Sequence, residues 1–555
     1  MTASTADSVA ELDSQAAALL SDLEALHTTP VDAKTLPDWL RKYSRVKCRV
    51  QTLWAERLLA TERNSNDAQA QAIYKHLMGT WMPKLEAYEE PLDRAVLNAG
   101  VAKLQPGLAR KLVAELGGQH TEELREALAQ ARLLSRQYNS ITTNQTVELA
   151  GGSLLAQEAR NRLKSSTEAD EREVIWKAIK RSDLGVSRDL DALFAELLRA
   201  RQQVAVQAGS DNYAEHVWRQ TNREYTIQEA VEFLDGMAEV FAPLTAQVDH
   251  DRAKKLGIGQ LKPWDLTVKL EPPASNTLRV EEYVATAQRV LDHLDPAFGA
   301  VVRKLEAEGR MDLLPRLGKD TGNLSVHLFA YGTSEVLCSD TDGLMGFGTL
   351  LHELGHSVHS HFLSSNPNNL VWDFYNFMEV REFCAFVFNI LGESYLYKNL
   401  NLGSDERRWY EQSLAAGFLS RLRDVDERVR IELWLYQQTR DVTIEEIDAH
   451  YLTLYHRPVV DWSAHEDILR KRWQNRFLFL HSFYNIEYAI ATVAALLFVR
   501  AYQEDAAGAL ARLKAAMRMG ATAGPTAIFA EAGIVFPFSR NQLIVARDVL
   551  NEWLS

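Results

Sequence analysis

The stretch Thr349-Leu350-Leu351-His352-Glu353-Leu354-Gly355-His356-Ser357-Val358-His359 decides how the rest of the chain is read. Its apolar positions, Leu350, Leu351, Leu354 and Val358, suit a buried helix better than a surface one. Residues four apart on a helix share a face and lie about 6 Å apart along the axis. Two imidazoles so placed can converge on one Zn²⁺ at about 2.0–2.1 Å. Glu353, next to the first histidine, can then reach a metal-bound water without being a ligand. With 15 histidines in 555 residues, chance supplies the H-E-x-x-H pattern only about 0.03 times in such a chain. Four of the 15 fall between positions 352 and 361, an enrichment that a solvated face would not show.

A catalytic zinc takes three protein ligands and keeps one open position. The third ligand therefore comes from a second element packed against the first. Downstream lies Asn376-Phe377-Met378-Glu379-Val380-Arg381-Glu382-Phe383-Cys384-Ala385-Phe386, an apolar helical stretch with two carboxylates. Glu379 and Glu382 are three apart and share a face. Burying a carboxylate is costly unless it is paired or bound to metal, which places both at the site.

Upstream, residues 310–345 are the best candidate for a small sheet. Leu324–Phe329 and Glu335–Cys338 are short, partly alternating runs separated by Tyr331-Gly332-Thr333. Gly343, Gly346 and Gly348 follow without a G-x-x-x-x-G-K-[ST] pattern and read as turns beside the site. The first 260 residues are a succession of amphipathic helical segments, such as the one carrying Leu12, Leu19, Leu23 and Leu26. Breaks fall near Thr28-Thr29-Pro30, Pro91, Gln105-Pro106-Gly107 and Gly117-Gly118, and the tract Gly257–Asn276, with Pro272-Pro273, reads as a connection. From residue 370 onward the pattern is again helical.

The whole-chain figures bound the function. Lys and Arg number 61 against 75 Asp and Glu, a net charge of −14, which argues against a nucleic-acid partner. Three cysteines, Cys48, Cys338 and Cys384, form neither a disulfide framework nor a C-x-x-C metal spacing. No signal-peptide pattern opens the sequence, and the apolar run Ala489–Val499 falls short of the roughly 20 residues a membrane span needs. A soluble, cytoplasmic protein with no membrane partner is expected.

The motif helix, together with Phe377-Met378-Glu379-Val380-Arg381-Glu382, resembles the oligoendopeptidase F and thimet-oligopeptidase family of zinc peptidases. Pro263-Trp264-Asp265, Phe483-Tyr484-Asn485-Ile486-Glu487-Tyr488-Ala489 and Ala532-Gly533-Ile534 extend the likeness over roughly residues 200–540. It implies a mostly α fold, a two-lobed helical clamp around a deep substrate channel with a small sheet beside the zinc helix. It also implies an N-terminal helical region, 1–185, and a catalytic region, 186–555, with the sheet at about 320–340. By that resemblance one zinc per chain is held by His352, His356 and Glu379, and Glu353 is the catalytic base. Glu382 and His359 stand behind the ligands, Glu382 to accept a hydrogen bond from a ligand histidine. Gly346, Ser482 and Asn485 depart from the family pattern, so substrate preference does not carry over.

The implied activity is endopeptidase cleavage of short oligopeptides, with oligomeric state undetermined. A related helical zinc carboxypeptidase and an inactive zinc-binding scaffold stay open as alternatives. His481, Tyr484 and Tyr488, read on a helix starting near His481, share an arc of about 60°. The resemblance makes them candidate donors to a developing oxyanion, Tyr488 foremost.

Overall fold

The first helix, Ala3–Thr28, forms because its leucines recur on one face: Leu12, Leu19, Leu23 and Leu26 are all buried. It ends where two hydroxyls turn back on the backbone. Thr28 Oγ1 donates to Glu24 O (3.0 Å) and Thr29 Oγ1 to Ala25 O (2.6 Å), immediately before Pro30. This helix shares a core with Leu36–Arg63, through Trp39, Leu40 and Tyr43, and with the later segment Val371-Trp372.

The structure is a computed structural model, and it describes residues 3–116, 121–142, 145–221, 223–268, 270, 278–320, 322–339, 343–374, 377–400, 402–455 and 457–555. The Gly117-Gly118 break, the Pro272-Pro273 part of the expected connection and Asn376 lie outside the described residues. Helices dominate from end to end, as the periodicity predicts. The chain divides into two compact units, each assembled from separated stretches. One comprises Met1–Gly117, Ala274–Arg407 and Ile490–Pro537; the other comprises Gly118–Pro273, Arg408–Ala489 and Phe538–Ser555.

In the first unit the expected sheet is present with one strand more than the sequence pattern shows. Thr333–Leu337 is the central strand, antiparallel to Leu324–Leu328 and parallel to the two-residue strand Met311–Asp312. Its register pairs Leu324 with Leu337, Val326 with Glu335 and Leu328 with Thr333. All five residues of the central strand are buried, so no period-2 signal separates one face from the other. Gly332, at φ +57°, makes the left-handed turn between the two longer strands.

The second unit holds a hairpin that the sequence reading did not anticipate, Thr146–Leu149 paired with Gly152–Leu155. Its core gathers indoles: Trp176 lies 5.6 Å from Trp264 and 5.9 Å from Trp462, ring centre to ring centre. Pro263-Trp264-Asp265 is a short 3-10 turn in this core. Asp265 is buried and takes two hydrogen bonds from the equally buried Arg172, at 3.1 and 2.7 Å. That pairing, with Arg172 also donating to Thr167 O, is what makes both charges tolerable inside.

The apolar run Ala489–Val499 belongs to a helix of 20 residues, Asn485–Glu504, longer than the run itself. By length and composition this helix could cross a membrane. Ile490, Ala491, Val493, Ala494 and Leu496 are instead fully buried against the protein.

Candidate active site

Two helices of the first unit carry the candidate metal ligands. Gly343–Ser365 contains both histidines of the motif, and Met378–Asn399 contains Glu379 and Glu382. Of the glycines expected as turns ahead of the motif, Gly346 and Gly348 lie within the histidine helix instead, while Gly343 opens it with a left-handed backbone at φ +59°. For Gly348, and for Gly355 within the motif, the reason is visible in what a side chain there would meet. A Cβ on Gly348 would collide with Glu393 Oε1, and one on Gly355 would lie 2.7 Å from Ala385 Cα and 3.2 Å from Phe388 Cβ. From the other side, a Cβ on Gly392 would lie 2.7 Å from Leu351 Cδ1. At Gly355 the missing side chain lets the two backbones approach, and at Gly348 and Gly392 it leaves room for the side chains of Glu393 and Leu351. Asn389 Nδ2 adds a hydrogen bond to Gly348 O at 3.1 Å. Leu350, Leu351, Leu354 and Val358, all fully buried, anchor the helix as the sequence pattern predicts.

The close pairing brings the imidazoles to a carboxylate. His352 Nε2 lies 3.3 Å from Glu382 Oε2, and His356 Nε2 lies 3.8 Å from Glu382 Oε1. One ligand atom from each of His352, His356 and Glu382 lies within 4.8 Å of the others. Ligands each about 2.0–2.1 Å from a tetrahedral ion are roughly 3.4 Å apart, so these atoms fit a zinc with small adjustment. His356 Nδ1 is buried with no hydrogen-bond partner. Two nitrogens and a carboxylate oxygen are also the donor types zinc takes.

Glu379 is in the first turn of its helix, one turn before Glu382, and is 1% exposed. The structure thus buries both carboxylates, as expected, and draws Glu382 to the imidazoles, while Glu379 is outside the group of three. Ser325 Oγ and Ser357 Oγ, 2.9 Å apart, tie the histidine helix to strand Leu324–Leu328.

The electrostatics are those of a dry site. Burial pushes the Glu353 carboxyl up to about 7, against the pull of His352 and Arg381 and with a further push from Glu382. Burial lowers His356 to about 3 and keeps its imidazole neutral. Burial also opposes ionisation of Glu382, but the hydrogen bond from His352 and the nearby charges outweigh it and hold that carboxyl down. A neutral His356 imidazole beside an ionised Glu382 carboxylate is a pairing of protonation states that suits a divalent metal. His359 is buried on the same helix, and its burial lowers it to about 3.

Arg381 is the residue the sequence reading passed over. Its charge acts on Glu353, His356, His359 and Glu382 alike. A lone cation between two glutamates on an apolar helix was the available signal.

The tyrosine segment belongs to the second unit and departs from its expected geometry. The helix starts at Asn485, not near His481, and His481 instead follows the short helix Arg476–Leu480. Between them Phe483 adopts φ +60°, which breaks the helix that the wheel reading assumed. The three side chains still cluster, by a turn rather than by helical spacing. Tyr484 and Tyr488 hydroxyls are 3.2 Å apart, and the His481 and Tyr484 ring centres are 5.7 Å apart. His481 is exposed and the two tyrosines are half-buried.

The family model described as peptidase family M3 matches residues 162–544. Among curated proteins, the oligoendopeptidase F homolog of Mycoplasma pneumoniae is 24% identical over 292 residues, which is 49% of this chain and 46% of that protein. The oligoendopeptidase F homolog of Mycoplasma genitalium is 28% identical over 151 residues, 26% of this chain and 24% of that protein. The chain thus spans less than half the length of the curated relatives it matches. Among solved structures, PZ peptidase A with an inhibitor superposes at a TM-score of 0.83. It is 16% identical and covers 98% of this chain and 97% of its own, a likeness of fold.

Proposed function

Because the chain belongs to peptidase family M3, we propose that it is a zinc-dependent oligopeptidase cutting internal bonds of short peptides. The observation that carries this reading is the convergence of His352 and His356 on a buried carboxylate of the facing helix, with Glu353 buried beside them. In this reading His352, His356 and Glu379 hold one zinc per chain, Glu379 on the strength of the motif likeness. Glu382 is placed behind the ligands on the same motif likeness, although its carboxylate is the one that lies nearest the two Nε2 atoms. His359 and the division into a helical region 1–185 and a catalytic region 186–555 are parts of the same proposal.

Zinc, when bound, supplies Lewis-acid polarisation of the scissile carbonyl and acidifies the attacking water. Glu353 accepts that water's proton at its carboxylate and returns it to the leaving amine. Its burial keeps bulk water from competing for the proton. Tyr488, with Tyr484 and His481 beside it, donates a hydrogen bond to the oxyanion as it develops, an interaction that strengthens toward the transition state. Short peptides are the partners, not nucleic acid. Three free thiols, Cys48, Cys338 and Cys384, accord with a cytoplasmic setting.

The test is digestion of a peptide of about ten residues blocked at both ends, with product masses read, beside a casein-length chain. Internal cleavage of the blocked peptide and sparing of casein are expected. A requirement for a free C-terminus would mark a carboxypeptidase, and efficient digestion of casein would refute restriction to short peptides.

A further inference from the structure

The turn that presents His481, Tyr484 and Tyr488 is held by side chains far away in sequence, and they form one buried network. Phe483 is fully buried and is the single non-glycine residue with positive φ among the described residues, at +60°. A side chain with a β-carbon adopts that conformation only when its surroundings impose it. Two partners grip its peptide groups. The Phe483 N–H donates to Glu432 Oε1 at 2.8 Å, and Arg223 Nη2 donates to Phe483 O at 2.8 Å. The same arginine nitrogen donates to Glu487 Oε1, also at 2.8 Å, one residue before Tyr488.

On the near side of the turn, Arg201 donates to Leu478 O (2.7 Å) and Phe479 O (2.6 Å) and to the Tyr436 hydroxyl. Arg428 Nη1 reaches Asn485 Oδ1 at 3.4 Å, at the start of the helix. The Phe483 ring is wedged between Trp218 and Tyr436, with centres 4.9 and 5.5 Å away. The Leu478 and Phe479 carbonyls, the Phe483 N–H and carbonyl and the Asn485 side chain are thus each held by a group from another element.

Glu432 has the most specific place in this network. It is 1% exposed, its Oε1 is spent on the Phe483 N–H, and its Oε2 has no hydrogen-bond partner. A buried carboxyl with one oxygen unmatched is a poor stabiliser of the fold. An apolar side chain would serve packing better. We propose that Glu432 is a positioning residue, which through the Phe483 N–H fixes the left-handed turn and with it the placement of Tyr484 and Tyr488. This rests on the proposed role of the tyrosines in the reaction. Burial pushes the Glu432 carboxyl up to about 8, against the pull of the Phe483 N–H and of Arg201, Arg223 and Arg428. It is thus largely protonated at neutral pH, and an isosteric amide can take its place.

The experiment is a kinetic cycle on a short peptide with Glu432→Leu, Glu432→Gln, Tyr488→Phe and the double variant Glu432→Leu/Tyr488→Phe. Glu432→Leu is expected to lower kcat by about 10–10²-fold with KM changed less than about twofold, the scale of a displaced catalytic group. Glu432→Gln keeps an oxygen for the Phe483 N–H and retains kcat within about threefold. In the Tyr488→Phe background, Glu432→Leu has little further effect, because the group it places is gone. Full additivity of the two losses overturns the positioning role while leaving the tyrosine reading intact. A normal kcat in Tyr488→Phe removes the tyrosine reading, and the proposal with it. Where Glu432→Leu does not fold, Glu432→Asp, which draws the carboxyl back by one methylene, enters the same cycle with the same readouts.

Discussion

The histidine–glutamate helix pair and the turn before the tyrosine helix solve the same problem by opposite means. The pair Gly343–Ser365 and Met378–Asn399 places its polar groups by regular structure: apolar faces, helical spacing, and glycines where the backbones meet. The turn at 478–485 places its groups by irregular backbone, held by buried Arg201, Arg223 and Glu432. A helix fixes a side chain through local geometry, so its precision is encoded nearby. A strained turn is fixed by whatever grips it, and the grip comes from residues 50 to 280 positions away. The difference predicts that the helix pair tolerates changes outside its contact line, whereas the turn responds to distant substitutions.

The largest expected effect is on the helix-pair side. Glu353→Gln keeps the shape and the metal but loses the proton acceptor, and kcat falls by about 10²–10⁴-fold at full zinc occupancy. Near-normal turnover of the metal-replete variant would remove Glu353 from the mechanism. On the turn side, Tyr488→Phe lowers kcat by about 10²–10³-fold with KM little changed, as for loss of one oxyanion donor. A raised KM at unchanged kcat would instead make Tyr488 a substrate-binding residue.

Next comes the contact line itself. Gly355→Ala puts a methyl 2.7 Å from Ala385 Cα, where only backbone movement gives relief. Weakening of zinc affinity by about 10–100-fold is expected, the usual cost of disturbing ligand support. Competition with a chromogenic chelator measures it, and unchanged affinity would mean that the ligands do not depend on the close approach. The two glutamates are separated by the same assay: Glu379→Gln loses zinc, whereas Glu382→Gln retains it with reduced affinity. The reverse order would transfer the ligand role to Glu382.

The smallest effect concerns stability and has a counterpart in each region. Burial pushes Glu393, against Gly348, up to about 8, as it does Glu432 behind the turn. A folded carboxyl raised above its unfolded value, near 4.3, holds a proton that the unfolded chain releases. Stability therefore falls as pH rises between about 4.5 and 8 and levels off above. Glu393→Gln removes that contribution, so its Tm should decline less than the parent's from pH 5 to pH 8, by roughly a few degrees. Parallel declines would show that Glu393 does not titrate in this window.

What could be read from the sequence follows the same line. His352, Glu353, His356 and the buried glutamates were legible because helical period and residue chemistry coincide within a few residues. The sheet was legible at Leu324–Leu328 and Thr333–Leu337 but not at Met311–Asp312, since two residues carry no period. Gly346 and Gly348 looked like turn residues because composition does not show what a glycine faces; only Glu393 and Asn389 across the interface explain Gly348. The helix near His481 was misplaced by four residues because Phe483 gives no sign in sequence of its left-handed backbone. Which of Glu379 and Glu382 reaches the imidazoles is a matter of rotamer and helix rotation, finer than spacing alone resolves.

The central proposal is that the chain is a peptidase by virtue of one zinc held by the histidine helix and its partner. Titration of the metal-stripped protein with zinc, followed by cleavage of a blocked short peptide, tests it most directly. Activity should be absent at the start, rise in proportion to added zinc and break at about one equivalent per chain, with His356→Ala flat throughout. Full cleavage by the stripped protein, or an undiminished response from His356→Ala, would contradict it.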